Sequence, residues 1–317
     1  MDSTQDVDLL IVGAGLRGLR AALVNRREHP AANLALVEEQ PQPGGTFRTQ
    51  RSNGFACELG PFAVTRDEVD PLLALLPQPP PLIGIQPSAR QGWLWNGTER
   101  TAVAVDPEPW SFRSGIEEVV QHARRELGTA LRLGRAVTAT RPTPTGWEVE
   151  LGGEVPSLLR TRELHFCTPV ATTSRLLAPL DPALGHVAER LESEPRAFAF
   201  FGGYQQDLPE LTGYGMVPTD DLTSPVQEVI FCAQVFPGRA LPGQALIRVE
   251  LAGALLAEQD TAVLAAAEQE LRRWTGCRGR LGFTKLHRFT TEVVDGAHIE
   301  CRTRLRGLCA RAPGLRM

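Results

Sequence analysis

Lysine is almost missing from this sequence. Of 33 basic residues only Lys285 is not an arginine, and the arginines are scattered rather than gathered into a stripe. With a net charge of −4, that pattern excludes a phosphate-gripping surface and therefore a nucleic-acid partner. Long apolar runs are also lacking. None reaches the roughly 18 residues that a membrane helix needs, which leaves peripheral contact as the one way to meet a bilayer. The opening "MDSTQDVD" has neither the basic start nor the apolar core of a secretory signal. Cys57, Cys167, Cys232, Cys277, Cys301 and Cys309 form no C-x-x-C pair. That excludes a zinc knuckle or dithiol motif and points to reduced thiols in the cytoplasm. His122, His165, His186, His287 and His298 fall on different elements without ligand spacing, so no metal is expected. Ser174 and the Thr172-Thr173 pair have no His or Asp placed to activate them, which excludes a nucleophilic hydrolase.

What is present is ordinary globular material: 42% hydrophobic and 22% charged over 317 residues. This suffices for one large domain or two interleaved ones. Leu9 to Val12 reads as a short buried strand. Gly15 to Arg27 reads as a helix burying Leu16, Leu19, Leu23 and Val24, and Leu34 to Glu39 as a second, parallel strand. Arg66 to Leu76 reads as a helix, and "GWLWNGTERTAVAV" as a hairpin turning at Asn96-Gly97. "SGIEEVVQHARREL" reads as a helix with Ser114 as N-cap and Glu117 completing a capping box. "RELHFCTPVATTSRLL" is a buried strand running into a helix. From about residue 196 the texture changes to turn-punctuated strands of an antiparallel sheet. "DTAVLAAAEQELRRWTG" follows as an amphipathic helix, with Asp260 as cap and Gly276 as C-cap.

The turn after the first strand carries the chemistry. Gly13-x-Gly15-x-x-Gly18 is preceded by a strand, followed by a helix, and answered by an acid, Glu38, at the end of the next strand. Gly13 permits the tight turn, Gly15 lets backbone approach a pyrophosphate, and Gly18 lets helix and strand pack closely. The helix N-terminus offers free N–H groups to the phosphates. Glu38 can accept from a ribose hydroxyl, and its charge argues against the 2′-phosphate of NADP, leaving FAD or NAD. A second glycine pair stands at Gly44-Gly45 in "GGTFRT", before "GFACELGP".

The order "IVGAGLRGL … LVEE … GGTFRT … GFACELGP" resembles the flavin amine oxidase superfamily, and within it the protoporphyrinogen/coproporphyrinogen oxidases of haem biosynthesis. "FPGRALPG", Phe236 to Gly243, is similar to a stretch of that branch, and "KLHRF" to its His-Arg strand. The resemblance implies an α/β fold: an FAD-type Rossmann (doubly wound) domain interleaved with a smaller antiparallel-sheet substrate domain. The division expected is 1–76, 112–192 and 290–317 for FAD, and 77–111 and 193–289 for substrate. It implies non-covalent FAD, with Gly13, Ala14, Gly15, Leu16 and Gly18 at the pyrophosphate and Glu38 and Glu39 at the ribose. Gly44, Gly45, Thr46 and Arg48 would lie toward the flavin, with Val137 and Thr168 lining the same cleft. Arg66 falls near a family substrate contact. No catalytic residue is assigned, because the flavin carries the chemistry. The implied reaction is dehydrogenation of a porphyrinogen, a small molecule whose propionates an arginine could hold.

Two departures stand out. "AVAVDPEPW" runs almost directly into "SFRSGIEE", where the family carries a helical insert. The family also continues after "PGL" into a strand, a glycine turn and a helix that hold the flavin from the other side, and here "ARAPGLRM" are the last residues. A half-site of this kind is expected to bind FAD weakly. Three readings stay open: a compact oxidase, an inactive or truncated FAD-domain-like binding protein, and a gene model cut short of its real C-terminus beyond Met317. A relative acting on an amine or a polyene is a further enzyme alternative.

Overall fold

The computed structural model describes residues 4–106 and 108–317. Strand β1 (Thr4–Val12), helix α1 (Leu16–Glu28) and strand β2 (Leu34–Val37) form the expected unit. The apolar run Leu9–Val12 is buried on both sides, as a strand must be when helices cover both faces of a parallel sheet. β1 lies parallel between β2 and the Ser157–Phe166 strand, with Val12 level with Val37 and with Phe166. The C-terminal ends of three adjacent strands therefore deliver Gly13, Glu38 and Cys167 to one edge, where ligands of open α/β sheets bind. The sheet continues through the antiparallel Gly146–Leu151 and Val137–Thr143 strands on one side and Leu131–Arg132 on the other. Leu315–Arg316 joins it in parallel beside Leu164 and His165.

A second seven-stranded sheet runs Phe283–Glu292, Ser193–Tyr204, Gln244–Ala252, Val226–Ile230, Gly215–Pro218, Gln91–Trp95 and Arg100–Ala104. Alternation along Ser193–Tyr204 sorts its two faces. Ala197, Ala199 and Phe201 meet Val263, Leu271 and Trp274 of the Asp260–Thr275 helix. Phe198 and Phe200 point the other way, onto Phe55, Cys57 and Phe62 of the segment that follows the second glycine pair. That inner face is where the two halves of the molecule meet. Among the described residues no helix is long and apolar enough to cross a membrane.

Local boundaries differ from the sequence reading in three places. Ser114 does not cap its helix. That helix spans Glu118–Leu127 with Glu117 at the N-cap, and the Ser114 N–H donates to the Glu118 carboxylate at 2.7 Å. Gly115, at φ +106°, turns the chain between them. The Glu117 carboxylate instead accepts from the Thr49 N–H at 3.0 Å, a tertiary contact no local pattern announces. The long amphipathic helix opens at Asp260 with Gln259 as cap. The helix at Arg66 ends at Leu73 and is set by a Thr65/Glu68 capping box.

Candidate functional site

The glycine turn has two tight positions and one open one. Gly13 sits at φ +95°, where an added Cβ would lie 2.8 Å from the Thr168 methyl, and its N–H donates to Val37 O at 2.8 Å. At Gly18 an added Cβ would fall 1.9 Å from Gly13 O, so helix and strand touch there backbone to backbone. Gly15 has an ordinary φ of −69° and caps α1 without any side-chain hydrogen bond. Nothing lies within 4 Å of where its Cβ would be. No acid stands in the first turn of α1. The space before Gly15 is thus open, faced by free N–H donors at the positive end of a thirteen-residue helix.

The second glycine pair closes against this space. The Gly44 N–H donates to Ala14 O at 2.8 Å, Gly15 and Gly44 form a bridge, and an added Cβ on Gly45 would stand 3.5 Å from the Gly15 Cα. Gly45, Thr46 and Arg48 are exposed, and Leu16 is half-buried beside them. Arg48 donates to Gln42 at 3.3 Å and, with Arg51 and Glu117, lines a cavity of about 310 Å³. A larger cavity, about 980 Å³, opens at Asp6, Asn33, Trp147 and Arg160, at the opposite end of β1. The N-terminal ends of sheet strands are not where such folds take ligands.

Glu38 is half-buried and spends one carboxylate oxygen on the Ala14 N–H at 2.7 Å and the other on the Gln40 N–H at 3.0 Å. A carboxylate accepts about four hydrogen bonds, so it retains capacity for a hydroxyl. Glu39, next to it, is exposed. Backbone bonds tie Glu38 to Arg132 and Arg135, which brings the strand that starts at Val137 behind the acid. Thr168 crosses above Gly13, its hydroxyl 2.8 Å from that of Thr173. Arg66 is engaged elsewhere: Nε donates to Asp70 at 2.9 Å, and the guanidinium lies 5.3 Å over the Trp110 ring. The positions brought together are Gly13, Ala14, Gly15, Gly18, Gly44, Gly45, Glu38 and Thr168. An open position at Gly15, faced by the N-terminus of α1, fits the pyrophosphate of a dinucleotide.

The sequence reading missed the joint beneath this cradle. Glu58 and Arg239, both fully buried, pair at 3.0 Å. Glu58 also accepts from the Thr49 hydroxyl at 2.6 Å and the Ile116 N–H at 3.2 Å. Arg239 donates to Phe112 O at 3.1 Å and the Ser111 hydroxyl at 2.6 Å. Burial pushes the Glu58 carboxyl up and the Arg239 guanidinium down, each against the other's charge. Arg248, 4% exposed, donates to Gly60 O at 2.7 Å and to Glu228 at 3.3 Å, and lies 4.3 Å over Phe198. From Phe198 the aromatic row continues to Phe289 and His287, with ring centroids 4.6 and 5.9 Å apart. The available signal was a lone arginine at an inward position of the apolar strand "ALIRVEL", and the arginine inside "FPGRALPG".

A family model described as an NAD(P)-binding Rossmann-like domain matches residues 11–76. The chloroplastic protoporphyrinogen oxidase of Nicotiana tabacum is 30% identical over 226 residues, 68% of this chain and 38% of the relative. The chain spans well under half the length of the curated relatives it matches. A crystal structure of a candidate protoporphyrinogen oxidase from Exiguobacterium sp. 255-15 superposes with a TM-score of 0.77 at 16% identity, over 99% of this chain and 94% of the other. A redesigned putrescine oxidase superposes with a TM-score of 0.73 at 13% identity, over 89% and 84%. The fold and the glycine turn are those of the FAD-dependent oxidoreductases. Within that class the matches support placement in the flavin amine oxidase superfamily, and they indicate FAD as the cofactor.

Proposed function

We propose that this chain is an FAD-dependent oxidoreductase that dehydrogenates a porphyrinogen. The observation that carries the cofactor half is the open cradle at Gly15, between two glycines that are packed shut. In this reading Gly13, Ala14, Gly15, Leu16 and Gly18 face the pyrophosphate, while Glu38 and Glu39 take the ADP ribose. Gly44, Gly45, Thr46 and Arg48 lie toward the flavin, and Val137 and Thr168 close the adenine side. Bound FAD would supply a two-electron acceptor for hydride taken from substrate carbon. This chain's own part is position and electrostatics. α1 presents its N–H groups to the phosphates, and the second sheet offers the half-buried Phe289–His287 pair, against which a flat macrocycle can stack. The 30% identity to a protoporphyrinogen oxidase supports the substrate class. To hold a propionate, Arg66 must first leave Asp70 and Trp110. Six free cysteines support a reducing compartment, and we place the reaction in the cytoplasm.

The test is an absorbance spectrum of the purified chain before and after FAD addition and desalting, with Gly15→Val as control. Retained flavin in the wild type and none in the variant is the expected result. Porphyrin fluorescence after mixing the loaded protein with a porphyrinogen then decides the substrate. A loaded protein that leaves porphyrinogen unoxidised but consumes an amine would move the reading to the amine branch.

A further inference from the structure

Arg248 is a costly residue to place where it is. It stands on the central Gln244–Ala252 strand of the second sheet, sandwiched between Phe198 at 4.3 Å and Phe62 at 5.4 Å. Its Nε–H has no protein partner among the described residues, and a buried unpaired donor is destabilising. A methionine or leucine would fill the same volume without that penalty.

What the guanidinium holds is a single backbone carbonyl, that of Gly60, at 2.7 Å. Gly60 in turn lies against the cofactor-side turn. An added Cβ there would fall 1.9 Å from the Thr46 carbonyl oxygen, so the two backbones cannot move independently. Thr46 follows the pair Gly44-Gly45, whose backbone is bonded to Ala14 and abuts Gly15. A continuous contact path therefore runs from the centre of the second sheet to the cradle: Arg248, Gly60, Thr46, Gly45, Gly15. At its other end Arg248 reaches Glu228, which is 29% exposed.

We propose that Arg248 is a positioning residue that fixes the Gly44–Thr46 turn over the dinucleotide cradle by holding the Gly60 carbonyl. The proposal rests on the FAD reading for its consequence, but its structural core is independent of it. The test compares wild type, Arg248→Met and Arg248→Lys by hydrogen–deuterium exchange of the apo chain and by titration with FAD. In Arg248→Met, amides from Gly44 to Leu59 should exchange about tenfold faster or more, one charge-assisted hydrogen bond having been lost. Those of β1 and of the Asp260–Thr275 helix should stay unchanged. The FAD Kd should rise about tenfold. Arg248→Lys, which can still donate to Gly60 O with a point charge, should fall between. It also serves alone should the methionine variant not fold. Unchanged exchange at 44–59, or equal loosening of the Asp260–Thr275 helix, overturns the proposal by showing an ordinary core residue. So does faster exchange with an unchanged Kd. If the wild type takes up no FAD, the proposed function falls and the exchange pattern alone decides the role of Arg248.

Discussion

The glycine turn and the ionic joint below it use polar groups in opposite ways. At the turn, side chains are absent, and N–H groups at the start of α1 are left free around an open space before Gly15. At the joint, Glu58 and Arg239 are sealed from water, and protein groups on four segments consume nearly every donor and acceptor. The first arrangement is unfinished without a ligand. The second is held by protein groups alone, with the Arg239 Nε meeting Glu58 as an ion pair and not as a hydrogen bond. The contrast separates residues that bind from residues that hold the binding surface in place. It also predicts that damage at the two regions will look different.

The largest effect is expected at the joint. Arg239→Ala leaves the Glu58 carboxylate buried without its counter-ion, and urea unfolding should show a loss of about 3–5 kcal/mol. The paired replacement Glu58→Gln with Arg239→Met should recover most of that loss, because it removes both charges and keeps the volume. A single variant that costs under about 1 kcal/mol would erase the distinction drawn here. Next in size is Gly18→Ala, whose methyl would meet Gly13 O at 1.9 Å. A cost of about 1–3 kcal/mol is expected, read in the same unfolding experiment. Gly15→Val belongs to the other class. With nothing within 4 Å of its Cβ and an ordinary φ, it should cost about 1 kcal/mol or less while abolishing flavin uptake. If Gly15→Val unfolds the chain, or keeps stoichiometric FAD, the open space is not the ligand's.

The same contrast explains what could be read from the sequence. Leu9 to Glu38 is legible because its constraints are local. A strand, a turn that needs glycine and a helix are encoded within thirty-odd consecutive residues, and Glu38 meets Ala14 because β1 and β2 are neighbours. The antiparallel strands were legible from their turn punctuation rather than from alternation, because both faces of the central strands are buried. The joint was not legible. Arg239 finds Glu58 across the chain, and Arg248 finds Gly60 from a different sheet. Nothing in either neighbourhood specifies the partner. Ser114 failed as a cap for a related reason: a plausible local motif lost to Gly115 and to the pull of Glu117 toward Thr49.

The smallest effect concerns pH, and it compares the same two regions. Burial lowers the pKa of His165, on the first sheet, helped by Arg316 and opposed by Glu163. Burial likewise lowers that of His287, on the inner face of the second, with Arg48 and Lys285 adding to it. A histidine depressed in the fold is protonated first in the unfolded chain. Stability is therefore fully present above the ordinary imidazole pKa of about 6.5, and is lost as pH falls below it toward the lower folded value. The melting temperature should decline between about pH 6.5 and 5, above the range where ordinary carboxylates take protons. Glu58 and Glu228, whose carboxyls burial pushes up, bind protons first in the folded chain and act in the opposite sense. His165→Gln and His287→Gln should each flatten that limb. The two sites share no element, so their effects should add. His287 faces cations on both sides of the joint, and loosening the joint should relieve it. In an Arg239→Ala background that still folds, His287→Gln should lose its flattening effect while His165→Gln keeps it. Equal behaviour of the two variants in that background would mean that His287 senses its own strand rather than the contact between the halves.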